Sequence, residues 1–158
     1  MSTTEKYQPF FTKLLEEVEK KRPGLTEFNA QQKKNWVKIC TVGQPYFHFS
    51  CSFSKDGFHV NLTFQSKNGQ ENKAAFDALE KDKKEIEKNI GFPLKWHRSK
   101  GKRAKRADIY ALRPECQIID SASELESCRE WAVDTILKFD DILKPKISAY
   151  IDSTHTVQ

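Results

Sequence analysis

Apolar residues recur along this chain with two different periods, and the changes of period mark out its elements. From Tyr46 to Ser54 they alternate: Phe47, Phe49, Cys51 and Phe53 point one way, while His48, Ser50, Ser52 and Ser54 point the other, the pattern of a half-buried strand. Phe58 to Ser66 repeats it with Phe58, Val60, Leu62 and Phe64. Lys55-Asp56-Gly57 lies between them, and a two-residue Asp56-Gly57 turn predicts an antiparallel hairpin with Phe53 opposite Val60, Cys51 opposite Leu62 and Phe49 opposite Phe64. A slip of one residue would set phenylalanines against polar partners. The other face of this hairpin shows His48, Ser50, Ser52, Asn61, Thr63 and Gln65, polar but lightly charged. It reads as a solvated sheet face or as one wall of a binding surface.

The longer period appears in three places. Phe11, Leu14, Leu15 and Val18 form a stripe on a helix expected over Tyr7 to Arg22, stopped by Pro23-Gly24. A central helix, Asn72 to Asn89, carries Phe76, Leu79, Ile86 and Ile90 on one stripe, with Gly91 and Pro93 to end it. Lys83 and Glu87 lie near this stripe at the spacing of a structural ion pair, and Asp77 with Lys81 and Glu80 with Lys84 read as further pairs on solvated faces. A final helix begins near Ser121, where Ser121 and Glu124 have capping-box spacing, and Pro145 is expected to end or kink it, leaving 146–158 as a tail.

Shorter strands are expected near 36–42, 94–98 and 106–112. Leu94 and Trp96 face the core, Lys95 and His97 face away, and Tyr110 is opposite to the inward Ile109. The order α-β-ββ-α-ββ-α predicts a single α+β domain over 1–158, an antiparallel sheet of about five strands covered by the N-terminal, central and C-terminal helices.

Charge changes this picture at one place. The chain of 158 residues has a net charge of +5 from 27 basic and 22 acidic residues. Seven of those basic residues, Lys95, Arg98, Lys100, Lys102, Arg103, Lys105 and Arg106, lie in one acid-free segment, leaving the remainder with 20 basic residues against 22 acidic ones. A cationic connector on an otherwise slightly acidic domain is an electrostatic footprint for phosphate backbone. The nucleic-acid-binding candidates are these seven residues with His97. Backbone and shape recognition is expected rather than a base code.

Other chemistry is sparse. Cys40, Cys51, Cys116 and Cys128 form no CxxC pair, which predicts reduced thiols and no metal site. No apolar run approaches the roughly 18 residues that span a bilayer, and the N-terminus lacks a signal-peptide pattern, so a cytoplasmic protein without membrane contact is expected. P-loop, GxGxxG, GxSxG and HExxH motifs are missing, so no cofactor and no catalytic residue are expected. A small metal-dependent nuclease would need converging carboxylates, and Asp108, Glu85 and Glu87 do not form such a set in the sequence.

Asn72, Lys73, Phe76, Leu79, Lys83, Ile86, Glu87, Gly91, Leu94, Trp96 and Arg98, followed by Arg106 and Ile109, together resemble the bacterial family catalogued as domain of unknown function 4268, from about Trp36 to Leu143. Members often sit at the C-terminal end of longer proteins whose N-terminal part looks like a restriction-type or other defence-associated nuclease. The resemblance therefore implies a DNA-associated accessory module of restriction or phage-defence systems. No nuclease portion precedes the module here, so nuclease activity is not expected to carry over; a separate subunit, or a counter-defence protein that competes with the host's version, is. The family supplies no catalytic residue to transfer. The expected function is non-catalytic nucleic-acid binding, with DNA as the expected polymer. A protein-interaction module docking on a nuclease or other defence-system protein is the alternative, and homo-oligomerisation stays open.

Overall fold

The computed structural model describes residues 1–98 and 105–155. Alternating segments of the sequence become an antiparallel sheet of order β1-β2-β3-β5-β4, built from β1 (Trp36–Val42), β2 (Gln44–Ser54), β3 (Gly57–Phe64), β4 (Lys95–His97) and β5 (Ala107–Pro114). Among the described residues there are also four α-helices, α1 (Tyr7–Lys21), α2 (Gly69–Glu80), α3 (Lys83–Ile90) and α4 (Ala122–His155). The α+β architecture and its five strands agree with the sequence pattern. None of the described helices is long and apolar enough to cross a membrane.

The helices stack on the phenylalanine face of the sheet. Phe10 of α1 meets Phe53 and Phe58 edge-on at 5.1 and 5.8 Å, Phe139 of α4 meets Phe49 at 5.8 Å, and Phe76 of α2 meets Trp96 of β4 at 5.9 Å. The phenylalanine rings, with Val60, Leu62, Ile109, Ile86 and Ile136, are almost wholly excluded from water, and Trp96 is partly buried against them. Burial of that much apolar and aromatic area is the main stabilising term of the fold.

Three sequence expectations need correction. The hairpin turn is Lys55-Asp56, with Ser54 opposite Gly57, so Phe53 pairs with Phe58, Cys51 with Val60 and Phe49 with Leu62. This is a shift of two residues from the expected register, and because side chains alternate with period two it leaves the apolar faces aligned. What selects the observed register is Gly57, which has φ +141° and pairs with Pro114, where any Cβ would lie 2.2 Å from the Arg113 carbonyl oxygen.

The central helix is two helices, interrupted at Lys81-Asp82. A continuous helix would press the Lys83 ammonium into the apolar seam between Leu79 and Ile86, and burying an unpaired charge is costly. The break instead lets Lys83 lie over the Trp96 ring at 5.9 Å. Glu87 does not pair with Lys83: its Oε2 accepts from the Leu94 N–H at 2.7 Å and from Trp96 Nε1–H at 3.2 Å, fastening β4 to α3.

Helix α4 also runs past Pro145 to His155, where a tail was expected. Proline removes one intrahelical donor, but contacts on both sides of it hold the helix. Leu143 and Ile147 are buried, Ile147 and Ile151 lie against Gly43, and Lys146 Nζ reaches Asp82 at 3.2 Å and Glu85 at 3.7 Å.

Candidate nucleic-acid interface

The opposite face of the sheet carries none of the described helices, and strand pairing arranges its side chains in rows. Across one row lie Lys38 of β1, Ser50 of β2, Asn61 of β3, Tyr110 of β5 and Lys95 of β4. The next row is Thr41, His48, Thr63, Asp108 and His97. On the other side, Trp36, Ser52 and His59 are in register. A bulge in β1 between Lys38 and Cys40 makes this possible. It lets Ile39 and Cys40 both bury while Trp36 and Lys38 stay on the open side.

The centre of this face is hydrogen-bonded, and the Asp108 carboxylate within it is paired with Arg106. Asn61 Nδ2 donates to Ser50 Oγ and Ser52 Oγ, each at 3.2 Å. Thr63 donates to Asp108 Oδ1 at 2.8 Å, and His59 stacks on Tyr110 with ring centroids 4.4 Å apart. Beside these residues is a groove of about 410 Å³ whose lining includes Trp36, Lys38, His48, Asn61, Gln65 and Arg106. Burial, followed by the nearby positive charges of Lys38 and Arg106, lowers the pKa of His48 to about 4, so its imidazole is neutral at pH 7. A second concavity of about 350 Å³ shares Trp36 and Lys38 and continues to Phe28, which Lys38 covers at 5.9 Å.

The basic connector leaves from the edge of this face, between β4 and β5. Lys95 and His97 lie exposed on the open side, and Lys105 is exposed where the chain re-enters the described structure. Among the described residues these three belong to no ion pair. The two arginines do. Arg98 Nε and Nη2 reach Asp77 Oδ1 and Oδ2 at 2.8 and 3.2 Å, so Asp77 serves β4's end rather than Lys81. Arg106 Nε lies 3.1 Å from each oxygen of Asp108. All four partners are substantially open to solvent except Asp108, and ion pairs of this kind contribute about 0–1 kcal/mol, little enough for a phosphate to compete for the arginine. Lys100, Lys102 and Arg103 lie outside the described residues.

The carboxylates that a nuclease would use are held apart by other partners. Glu87 is bound to β4, Glu85 faces Lys146, and Asp108 is shared between Thr63 and Arg106.

Sequence reasoning found the polar row of the hairpin but not its neighbours. Trp36 and Lys38 belong to the same surface because β1 pairs with β2 with Trp36 opposite Ser52 and Lys38 opposite Ser50, a register that no local pattern specifies. Arg106 could be assigned to the connector, yet its reach towards His48 depends on β5 pairing with β3, a partnership across more than 40 positions of sequence.

A family model described as "Domain of unknown function (DUF4268)" matches residues 6–147. No curated protein and no solved structure matches the chain.

Proposed function

The chain belongs to the DUF4268 family, and from that premise we propose that it is a non-catalytic nucleic-acid-binding module whose contact surface is the basic connector together with the helix-free sheet face behind it. One observation carries this reading. The strands that bracket the connector place Lys95 and His97 on that face, and Arg106 on the wall of its groove, next to Lys38. Lys95 and Arg106, the described cations of the basic segment that reach this face, thus adjoin a hydrogen-bonding surface, the combination that receives a polyanion bearing polar bases. The role as an accessory part of restriction or phage-defence systems, with DNA as polymer, rests on the family likeness.

The test is retention of mixed-sequence DNA in a gel at moderate salt. Replacing Lys102, Arg103, Lys105 and Arg106 with alanine abolishes retention and leaves the melting temperature nearly unchanged; Lys105 and Arg106 are exposed, and exposed charges add little to stability. An unaltered shift in that variant overturns the proposal. Failure of the unmodified protein to hold arbitrary DNA, combined with salt-sensitive binding to an acidic protein, supports a protein-docking module instead.

A further inference from the structure

We infer that the open sheet face takes single-stranded nucleic acid, with one unpaired base seated in the groove between Trp36 and Asn61 and its flanking phosphates at Lys38 and Arg106. This deepens the preceding reading and rests on it.

The groove is built in layers of different chemistry. Its wall is Trp36, an edge-strand indole left 38% exposed although it adjoins the sheet. Its floor is uncharged: Ser50 and Asn61 are buried, and Asn61 Nδ2 is already fixed by two serine hydroxyls. The amide oxygen of Asn61 is therefore the atom available to accept from an incoming group. His48, buried and neutral, adds one donor and one acceptor to the same floor. Positive charge is at the rims, on Lys38 and Arg106.

This layering distinguishes between ligands. A free anion is best held by charge at the bottom of a site, where water is excluded. Here the bottom offers neutral hydrogen-bonding groups and one side offers an aromatic plane, which suits a nucleobase: its edge needs donors and acceptors and its face needs a stacking partner. Cations on both sides then meet the phosphates before and after that base. A duplex keeps its bases stacked and paired, so it cannot fill this groove without being opened.

The row from Lys38 to Lys95 crosses five strands, about 19 Å at roughly 4.8 Å per strand. Asn61 lies in the middle of that row, Tyr110 follows it, and the basic segment begins at its far end with Lys95. A strand laid along it would run from the aromatic edge at β1 to the cationic edge at β4.

The experiment compares the affinities of the full chain, by fluorescence anisotropy, for four probes of about twelve nucleotides: oligothymidine, oligouridine, the same DNA strand with a central abasic site, and a duplex. The inference predicts single strands bound about tenfold or more tighter than duplex, and a loss of about tenfold on removing the central base although every phosphate remains. Whether oligothymidine or oligouridine binds tighter shows which of the two polymers is preferred. Trp36→Ala should weaken the intact single strand by a similar factor and leave the abasic strand and the duplex unchanged. Equal affinity for intact strand, abasic strand and duplex overturns this inference while leaving the connector reading standing. Absence of binding to all four overturns both. The abasic comparison uses unmodified protein, so it decides the matter even if Trp36→Ala fails to fold.

Discussion

Asn72 Nδ2 donates to the main-chain carbonyl of Lys105 at 2.7 Å, tying the first turns of α2 to the point where the basic connector rejoins the sheet. Asn72 is wholly buried. Its side chain also closes a loop with Ser66, donating to that residue's carbonyl and accepting from its N–H, both at 2.8 Å. One amide therefore fixes the end of the β3–α2 link and one root of the connector.

Replacing Asn72 should be costly out of proportion to its size. Asn72→Ala leaves the buried Ser66 N–H without its partner, a loss of about 1–3 kcal/mol. Asn72→Asp keeps the acceptor but turns a carboxylate oxygen towards two carbonyl oxygens, so it should be at least as destabilising. Urea denaturation of the two variants checks this; an aspartate variant as stable as the parent would contradict the hydrogen-bond assignment.

Gly57 is predicted to be intolerant of any side chain. At φ +141° with the Arg113 oxygen 2.2 Å from the ideal Cβ position, Gly57→Ala requires β5 to move or the turn to change register. A loss of about 3 kcal/mol is expected, with the melting temperature falling by about 10 °C. A thermal melt of this variant within a degree or two of the parent would show that the hairpin can re-register at no cost.

His48 predicts a pH dependence of stability. Its pKa is lowered to about 4 in the folded protein from 6.5, chiefly by burial, so the unfolded chain binds this proton more readily than the folded one. Its contribution is complete above pH 6.5, is lost as pH falls from there towards 4, and changes no further below that. The loss is on the order of 3 kcal/mol across that window. Denaturation series over this range should show a shallower decline for His48→Gln than for the parent; parallel curves would mean that His48 is hydrated and titrates normally.

The balance between what the chain declares and what it conceals follows from range. Strand alternation, Gly91 at a helix end and the Ser121 capping hydroxyl, which accepts from the Glu124 N–H at 3.3 Å, are local signals and were legible. The register of the hairpin was not, because a shift of two preserves every apolar contact class, and the deciding atom belongs to β5, more than 50 residues away. The break at Lys81-Asp82 was hidden for a related reason: the stripe from Phe76 to Ile90 stays buried on both sides of it. The candidate site divides in the same way. Its charge could be counted in the sequence, whereas the pairing of Arg98 with Asp77 and the arrival of Lys38 beside His48 are products of tertiary packing.

The basic connector and the residues at its roots are proposed to meet phosphates. The most direct measurement is the salt dependence of affinity for a mixed-sequence DNA strand, titrated from about 50 to about 300 mM monovalent salt. Each phosphate contact contributes a slope of roughly −0.7 on a single strand or −0.9 on duplex, so a partial set of the seven cations gives a slope of log affinity against log salt of about −3 to −5. In the Lys102, Arg103, Lys105, Arg106 alanine variant it should flatten by about 3. A parental slope shallower than about −1, or one that the four substitutions leave unchanged, would contradict the claim that this connector is where the protein holds nucleic acid.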